Sequence, residues 1–140
     1  YTLQSNESQS VSLREEMEFA SAYIFLLKMR FENNLQFDIQ IAKSFEDYRL
    51  PPMAVQVLIE NAVKHNEISD RKPLTIHIVT NNEGYLSVSH DIQPKRTAAS
   101  GTGIGLVNLA KRYRLLFKQD IQITEDKEFS VCIPLIDEVQ

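Results

Sequence analysis

The sequence predicts a two-layer α+β sandwich, in which three helices cover a mixed, mostly antiparallel sheet of about five strands. Apolar residues recur with a helical period in three segments and with a two-residue period in about five others. The two kinds of segment come in runs instead of alternating strictly, and no internal repeat interrupts them. We therefore expect one α+β domain rather than a parallel α/β fold.

The first helix is predicted to begin at Ser12, after a polar lead-in over residues 1–11. Ser12 and Glu15 have the spacing of a capping box, which satisfies free N–H groups at a helix start. An apolar stripe then follows the helical period, at Met17, Ala20, Ile24, Leu27 and Phe31. A second stripe, of Phe19, Tyr23 and Leu26, leaves two interpretations open. It either widens the core face or docks against a neighbouring domain.

The later elements follow from period and turn chemistry. Strict alternation over 35–41 predicts a half-buried strand with Leu35, Phe37, Ile39 and Ile41 facing the core. Pro51 and Pro52 are expected in the first turn of the second helix. The segments 74–80 and 85–89 flank "NNEG", which predicts a hairpin. A third helix follows the glycine run at 101–105, and "DIQIT" and "EFSVCIPL" are the last two strands.

Composition limits the function classes. The chain has 140 residues, 43% of them apolar and 24% charged, which is typical of a soluble globular domain. A net charge of -4 gives no reason to expect nucleic acid or an acidic membrane surface as a partner. The single cysteine, Cys132, excludes an internal disulfide. Because the sequence begins at Tyr1 without methionine, we expect a piece excised from a longer protein.

The second helix carries an unusual polar arc in the stretch "LIENAVKHN". At 100° per residue, one continuous arc holds Gln56, Glu60, Asn61, Lys64 and His65, opposite an apolar arc that can cover the sheet. A solvated face is one interpretation. A binding site is the other, since asparagine is a poor helix former and amide and carboxylate oxygens suit Mg²⁺. Asn66 is expected to cap the end of this helix.

The stretch "SGTGIGL" at 100–106 holds three of the four glycines in the chain, just before a helix. Glycines allow close backbone approach, and a helix N-terminus presents free N–H groups to an anion. The spacing fits neither a Walker A motif nor the dinucleotide fingerprint. A flexible loop with a helix cap is the alternative interpretation. The glycine run indicates a nucleotide site more specifically when it is considered together with the polar arc of the second helix.

Together these motifs resemble the GHKL ATPase domain. "LIENAVKHN" resembles its N-box and "SGTGIGLVNLAKRY" its G2 box, as found in the catalytic domain of LytS/YehU-type sensor histidine kinases. Residues 11–31 resemble the helical segment that precedes that domain. The resemblance implies a Bergerat-type sandwich that binds ATP and Mg²⁺ between the N-box helix and a lid at 92–102.

The resemblance also implies roles for individual residues. Asn61 would bind Mg²⁺ and Lys64 the phosphates, while Glu60 would orient a metal-bound water or act as the catalytic base. His65 would lie near the phosphates or the ribose, and Lys95 is a further phosphate contact. The lid hinge would supply backbone N–H groups to the phosphates, from Gly101, Thr102, Gly103, Ile104, Gly105 and Leu106.

One position departs from the family pattern. The G1 box usually offers an acidic or amide side chain to the adenine amino group, often within "DxG", whereas this chain reads "SVSHDIQPK" without a glycine. Counting along the strand puts His90 at the expected position, and a neutral imidazole accepts a hydrogen bond in one tautomer only. A local bulge would present Asp91 instead. Both residues remain candidates.

The resemblance implies phosphoryl transfer from ATP to a histidine outside this sequence. Residues 1–32 would link to a dimerisation and phosphoacceptor domain, and 33–140 would form the ATP-binding domain. The implied partners are that domain, in a homodimer, and a response regulator; the fragment would be the cytoplasmic part of a membrane-anchored bacterial protein, without membrane contact of its own. Two alternatives stay open: a module that has lost ATP, and an ATPase of the hydrolytic kind.

Overall fold

Three helices pack on one face of a five-stranded sheet. The computed structural model describes residues 10–95 and 104–138. The helices are α1 (Leu13–Phe31), α2 (Ala54–His65) and α3 (Ile104–Phe117). The sheet has the order β2-β4-β5-β7-β6, with strands β2 (Leu35–Gln40), β4 (Leu74–Thr80), β5 (Tyr85–Asp91), β6 (Gln122–Glu125) and β7 (Glu128–Pro134). Only β2 and β4 run parallel, and the other pairs are antiparallel. The predicted fold class is confirmed.

Two short strands were not predicted. They are β1 (Val11–Ser12) and β3 (Arg49–Leu50), which form a small antiparallel sheet of their own. Two residues are too few to show a period, so no sequence pattern marks them. They hold the start of α1 beside the segment that leads into α2.

The start of α1 has the predicted capping box. The Glu15 amide donates to Ser12 Oγ at 3.1 Å, and the Ser12 amide donates to Glu15 Oε1 at 3.1 Å. The first apolar stripe supplies core residues, with Ala20, Ile24 and Leu27 buried. In the second stripe, Phe19 is 69% exposed and Leu26 62% exposed. The interpretation of that stripe as part of the core is therefore wrong for both residues.

Strand β2 has its predicted alternation, but one of its inward residues is less buried than expected. Leu35 is buried as expected, but Ile39 is 42% exposed. The strand lies at the edge of the sheet, with β4 as its one neighbour in the sheet. Ile39 opens into a shallow surface groove that Leu13, Met17 and Ile41 also line.

The hairpin between β4 and β5 is confirmed. Asn81 Oδ1 accepts hydrogen bonds from the amides of Glu83 and Tyr85, and this side chain shapes the turn. Gly84 has a φ of +87°, a left-handed conformation that favours glycine. The hairpin gives β5 its register and so determines which side chains face the helices. Among the described helices, none has both the length and the apolarity that a membrane crossing requires.

Candidate functional site

Helix α2 presents its polar arc away from the sheet. Its opposite side is buried in the core, through Val55, Leu58, Ile59 and Ala62. Glu60 and Lys64 are exposed, whereas Asn61 and His65 are half-buried. The amphipathic placement of the helix is thus confirmed, and these four polar side chains are available on its outer side.

The start of α2 is capped by another helix. Glu16 of α1 is 1% exposed, and its two carboxylate oxygens accept hydrogen bonds from the amides of Met53, at 2.8 Å, and Val55, at 2.9 Å. Burial raises the pKa of Glu16, while these N–H groups and the charge of Arg112 oppose the rise. Arg112 of α3 also donates to the Pro52 carbonyl at 2.7 Å. All three helices therefore meet where α2 begins.

Pro51 and Pro52 precede α2, so their predicted place in its first turn is wrong. The helix begins at Ala54, because Met53 has a left-handed φ of 66° that breaks the helical path between the prolines and the helix. The local sequence offers no side-chain cap at this start. The carboxylate of Glu16 supplies one from a distant part of the chain.

The end of α2 is tied to the segment that follows β5. Asn66 caps the helix as expected: its Nδ2 donates to the Ala62 carbonyl at 2.8 Å. Its Oδ1 accepts from the Gln93 amide at 2.7 Å. The Glu67 amide donates to the Gln93 carbonyl at 2.6 Å, and Gln93 Nε2 donates to the Glu67 carbonyl at 3.0 Å. This clamp brings the predicted N-box and the end of the predicted G1 strand together.

His90 and Asp91 point to opposite sides of β5. His90 is 4% exposed and lies on the inner side with Leu86 and Val88, whereas Asp91 is exposed. Pairing of β5 with β7 runs residue for residue from Tyr85 to Asp91, so this strand has no bulge that would turn Asp91 inward. Burial lowers the pKa of His90, and the carbonyl and carboxylate of Asp91 oppose this only in part.

A cleft of about 600 Å³ opens between α1 and α2. It brings together three predicted site residues, Glu60, Lys64 and Lys95. Asn61, His65, His90, Asp91 and Leu106 do not line it. Apolar and charged side chains complete its wall, including Tyr23, Leu27, Arg30, Phe31, Val63 and Ile68.

The start of α3 lies against the other flank of α2. A Cβ placed on Gly105 would lie 3.4 Å from Val57 Cγ1. Asn61 is one turn further along α2 from Val57, on the same face of the helix. Ile104 and Gly105 are exposed and Leu106 is half-buried. Gly101, Thr102 and Gly103 lie outside the described residues.

Comparison with known proteins identifies relatives of this chain. It is 34% identical to the sensor protein LytS of Streptococcus mutans, in a match that covers 89% of this chain and 24% of that protein. It is 31% identical to the sensor histidine kinase BtsS of Escherichia coli, over 84% of this chain and 21% of that protein. The chain is a homologue of the LytS/BtsS sensor histidine kinases. It spans about a quarter of the length of these curated relatives. No protein-family model matches it.

Solved structures share the fold of this LytS/BtsS homologue. The catalytic domain of the histidine kinase ThkA superposes with a TM-score of 0.60 and 17% identity, over 91% of this chain and 99% of that one. The cytoplasmic segment of the histidine kinase QseC superposes with a TM-score of 0.60 and 9% identity, over 92% of this chain and 78% of that one. The sandwich is therefore that of histidine kinase catalytic domains, as the motifs predicted.

Sequence reasoning missed two residues that shape the site of this LytS/BtsS homologue. Glu16 caps α2 from 39 residues away in the chain, and no local signal announces such a contact. Gln93 bonds to Asn66, Glu67 and the Lys72 carbonyl, although it lies in a stretch without period. The one hint for Glu16 in the sequence is its position four residues before Ala20, which puts a charged residue on the helical line of the apolar stripe.

Proposed function

We propose that this chain is the ATP-binding catalytic domain of a sensor histidine kinase, which transfers the γ-phosphoryl group of ATP to a histidine outside this sequence. The observation that carries the proposal is the approach of Gly105 to Val57, a residue that lies one helical turn before Asn61 on α2. A helix that begins in a glycine run presents N–H groups to phosphate, and a polar helix face can offer oxygen ligands to a metal ion. The two together are suited to bind a polyphosphate with its metal.

The donor set fits Mg²⁺ that arrives with a nucleotide. Among the described residues, no group of three or more histidine, cysteine or acidic side chains could enclose a metal. Mg²⁺ commonly takes one or two protein oxygens and completes its octahedron with phosphate oxygens and water. The Asn61 amide oxygen would be the protein ligand. The ion would supply neutralisation of the phosphate charge during transfer.

The remaining groups of the site would act by position and charge. Lys64 and Lys95 both line the cleft, where each would attract phosphate oxygens as a point charge. The backbone N–H groups at 101–106 would bind phosphate oxygens from the glycine run that precedes α3 and from its first turn. Glu60 is exposed on the cleft side, where it would orient a metal-bound water or accept the proton of the incoming histidine. His65 would lie near the phosphates or ribose.

The outer side of α1 supports the proposed partners. We name this surface the outer face of α1; its large apolar residues are Phe19, Phe25, Leu26 and Met29, all more than 60% exposed. A connected apolar face of this kind marks a protein interface. It would pack in a homodimer against the protein's own dimerisation and phosphoacceptor domain. A response regulator would then receive the phosphoryl group, and a membrane anchor elsewhere in the protein would leave this domain in the cytoplasm.

Calorimetric titration with Mg-ADP and with a non-hydrolysable ATP analogue tests the proposal. The native chain should bind both, and Asn61→Ala should weaken binding at least about 10-fold, because the metal loses its protein ligand. Asn82→Ala, which alters an exposed asparagine of the hairpin turn, is the matched control and should bind as the native chain does. Absence of binding by the native chain at millimolar nucleotide would instead support the module that has lost ATP.

Phosphorylation assays separate the kinase from the hydrolytic alternative. His65, His77 and His90 are the only histidines in the sequence, and all lie within the ATP-binding domain. We therefore expect no acid-labile phosphate on the isolated chain incubated with Mg-ATP. Multiple-turnover release of inorganic phosphate by the same sample would favour a hydrolytic ATPase.

A further inference from the structure

The cleft between α1 and α2 is positively charged, although the chain as a whole carries a net charge of -4. Three cations line it, Arg30, Lys64 and Lys95. Two carboxylates, Glu60 and Glu67, oppose them. A cleft whose charge is opposite to that of its chain is suited to an anionic ligand. The two lysines belong to segments that the motifs mark, whereas Arg30 comes from the last turn of α1.

The guanidinium group of Arg30 lies over an aromatic ring. Its central carbon is 4.7 Å from the centroid of the Phe31 ring, a cation–π contact that uses no oxygen acceptor. None of the ion pairs within residues 10–95 and 104–138 includes Arg30, which is exposed. A guanidinium without a carboxylate partner retains its planar fork of N–H donors for a contact with phosphate.

The position of Tyr23 relates Arg30 to the proposed catalytic base. Tyr23 is half-buried in the wall of the cleft and lies seven residues before Arg30, on the same face of α1. Burial raises the pKa of the Tyr23 hydroxyl, the charge of Glu60 raises it further, and the charge of Arg30 lowers it. Both charges act on this hydroxyl, so Arg30 lies near the part of the cleft that Glu60 also lines.

The helical spacing on α2 connects the proposed metal ligand to this cleft. Asn61 and Lys64 are three residues apart, so they are neighbours on the helix surface. Lys64 lines the cleft, whereas Asn61 does not. A polyphosphate that shares its metal ion with Asn61 and contacts Lys64 would therefore extend into the cleft, toward Arg30.

We propose that Arg30 binds the terminal phosphate of ATP from the α1 side of the cleft. The inference rests on the proposed nucleotide-binding function and deepens it, because it assigns a phosphate contact outside the N-box and the G2 box. ADP lacks the terminal phosphate, so this contact distinguishes the two nucleotides. A guanidinium is suited to the role because its fork matches two phosphate oxygens at once, whereas a lysine offers a single point charge.

Calorimetric titrations with Mg-ADP and with the magnesium complex of the β,γ-imido analogue of ATP test the assignment. The measured quantity is the ratio of the analogue affinity to the ADP affinity, in the native chain and in each variant. Arg30→Gln should lower this ratio about 10-fold, a typical loss for a charge-assisted contact, and should leave the ADP affinity nearly unchanged. Arg30→Lys should give a ratio between those two, since it keeps the charge and loses the fork.

Lys28→Gln is the matched control, because it removes the same charge two residues away. Lys28 is exposed, donates to Gln36 Oε1 at 3.3 Å and does not line the cleft, so the ratio should stay at its native value. Thermal unfolding checks that every variant is folded.

The ratio separates a phosphate contact from a structural role. If Arg30→Gln weakens both nucleotides equally, Arg30 only supports the cleft and the assignment is wrong. An unchanged ratio in Arg30→Gln, or an equal loss in Lys28→Gln, would also overturn it. If the native chain binds neither nucleotide, the proposed nucleotide site itself fails, and the role of Arg30 fails with it.

Discussion

Glu16 Oε2 accepts a hydrogen bond from the Val55 amide at 2.9 Å, which joins α1 to the start of α2. The same carboxylate accepts from Met53, and Arg112 of α3 bonds to the Pro52 carbonyl beside it. A single buried carboxylate therefore replaces the side-chain cap that α2 lacks in its own sequence. The helix that carries Asn61 and Lys64 is thus oriented by α1, the element at the boundary predicted near residue 32.

Removal of this cap should destabilise the fold. We expect Glu16→Ala to lower the free energy of unfolding by about 1–3 kcal/mol, since it leaves two N–H groups without an acceptor in a buried place. Chemical denaturation measures the loss. Glu18→Ala, two residues away on the exposed side of α1, is the control and should change stability little. Equal stability of the two variants would show that water replaces the cap at no cost.

The buried histidine should make stability depend on pH. Because the pKa of His90 is lowered in the folded chain, the unfolded chain takes up a proton that the folded chain resists. The stability that the neutral ring contributes is complete above its ordinary pKa of 6.5 and is lost as the pH falls below that value. The native chain should therefore lose more free energy of unfolding between about pH 7.5 and about pH 5.5 than His90→Gln does.

A second histidine provides the control for that experiment. His77→Gln changes a half-buried ring on the outer face of the sheet, where it lies 2.9 Å from Asp38. A change of pH dependence that appears in His90→Gln but not in His77→Gln would belong to the buried ring, whereas a change shared by both variants would reflect the removal of a histidine in general. An identical response of the native chain and His90→Gln would contradict the assignment of the acid sensitivity to His90.

A substitution at Gly105, near the start of α3, distinguishes an effect on helix packing from an effect on ligand binding. A Cβ at Gly105 would meet Val57 at 3.4 Å, an ordinary contact, and alanine is the better helix former. Gly105→Ala should therefore leave the thermal midpoint unchanged or slightly higher. If the glycine permits close approach of phosphates, the same variant should bind Mg-ADP more weakly, as measured by titration. Unchanged affinity would make this glycine a helix start without a ligand role.

One hydrogen bond joins α3 to the sheet, and its contribution to stability can be measured by removing a single hydroxyl group. Tyr113 is fully buried, and its hydroxyl donates to the Pro134 carbonyl of β7 at 2.9 Å. Tyr113→Phe should cost about 1–2 kcal/mol of unfolding free energy, because a buried hydrogen bond is lost. Tyr48→Phe, at a half-buried ring that packs edge-on against Phe45, is the control with the smaller expected cost. A larger loss in the control would contradict the role of this contact.

Local patterns predicted most of the fold because apolar residues recur with the period of each helix or strand and typical turn residues separate these elements. The capping box at Ser12, the hairpin turn and the apolar arc of α2 all act within a few residues, which is the range that sequence reasoning covers. Ile39 is more exposed than expected because alternation shows the face of a strand but not how completely that face is covered at the edge of a sheet. The cap from Glu16 could not be predicted because it depends on how two helices pack.

The candidate site stays a prediction from motif chemistry, to which the structure adds part of the geometry. Asn61, Lys64 and the glycines are found from motif chemistry, and the structure adds which neighbours they have. Whether His90 or Asp91 faces inward could be determined only from the pairing of β5 with β7, which places His90 on the inner side of the strand. The clamp through Gln93 lies in a segment without period, so only the folded chain reveals it.

The outer face of α1 should make the isolated chain self-associate. Phe19, at 69% exposure, and Leu26, at 62%, project from one side of the helix, and their contact with water is unfavourable. Sedimentation equilibrium at increasing protein concentration should show dimers or larger species for the native chain. The double variant Phe19→Ser and Leu26→Ser should be monomeric at the same concentrations and should still bind Mg-ADP, because neither residue lines the cleft.

A control double variant on another helix shows whether self-association depends specifically on the outer face of α1. Val107 and Leu115 of α3 are 51% and 80% exposed, so the double variant Val107→Ser and Leu115→Ser removes a comparable apolar surface elsewhere. Association should persist in this control if the outer face of α1 is the interface. If the two double variants reduce association equally, general hydrophobicity is the cause. If the native chain is monomeric throughout, this face needs a partner other than a second copy of the chain.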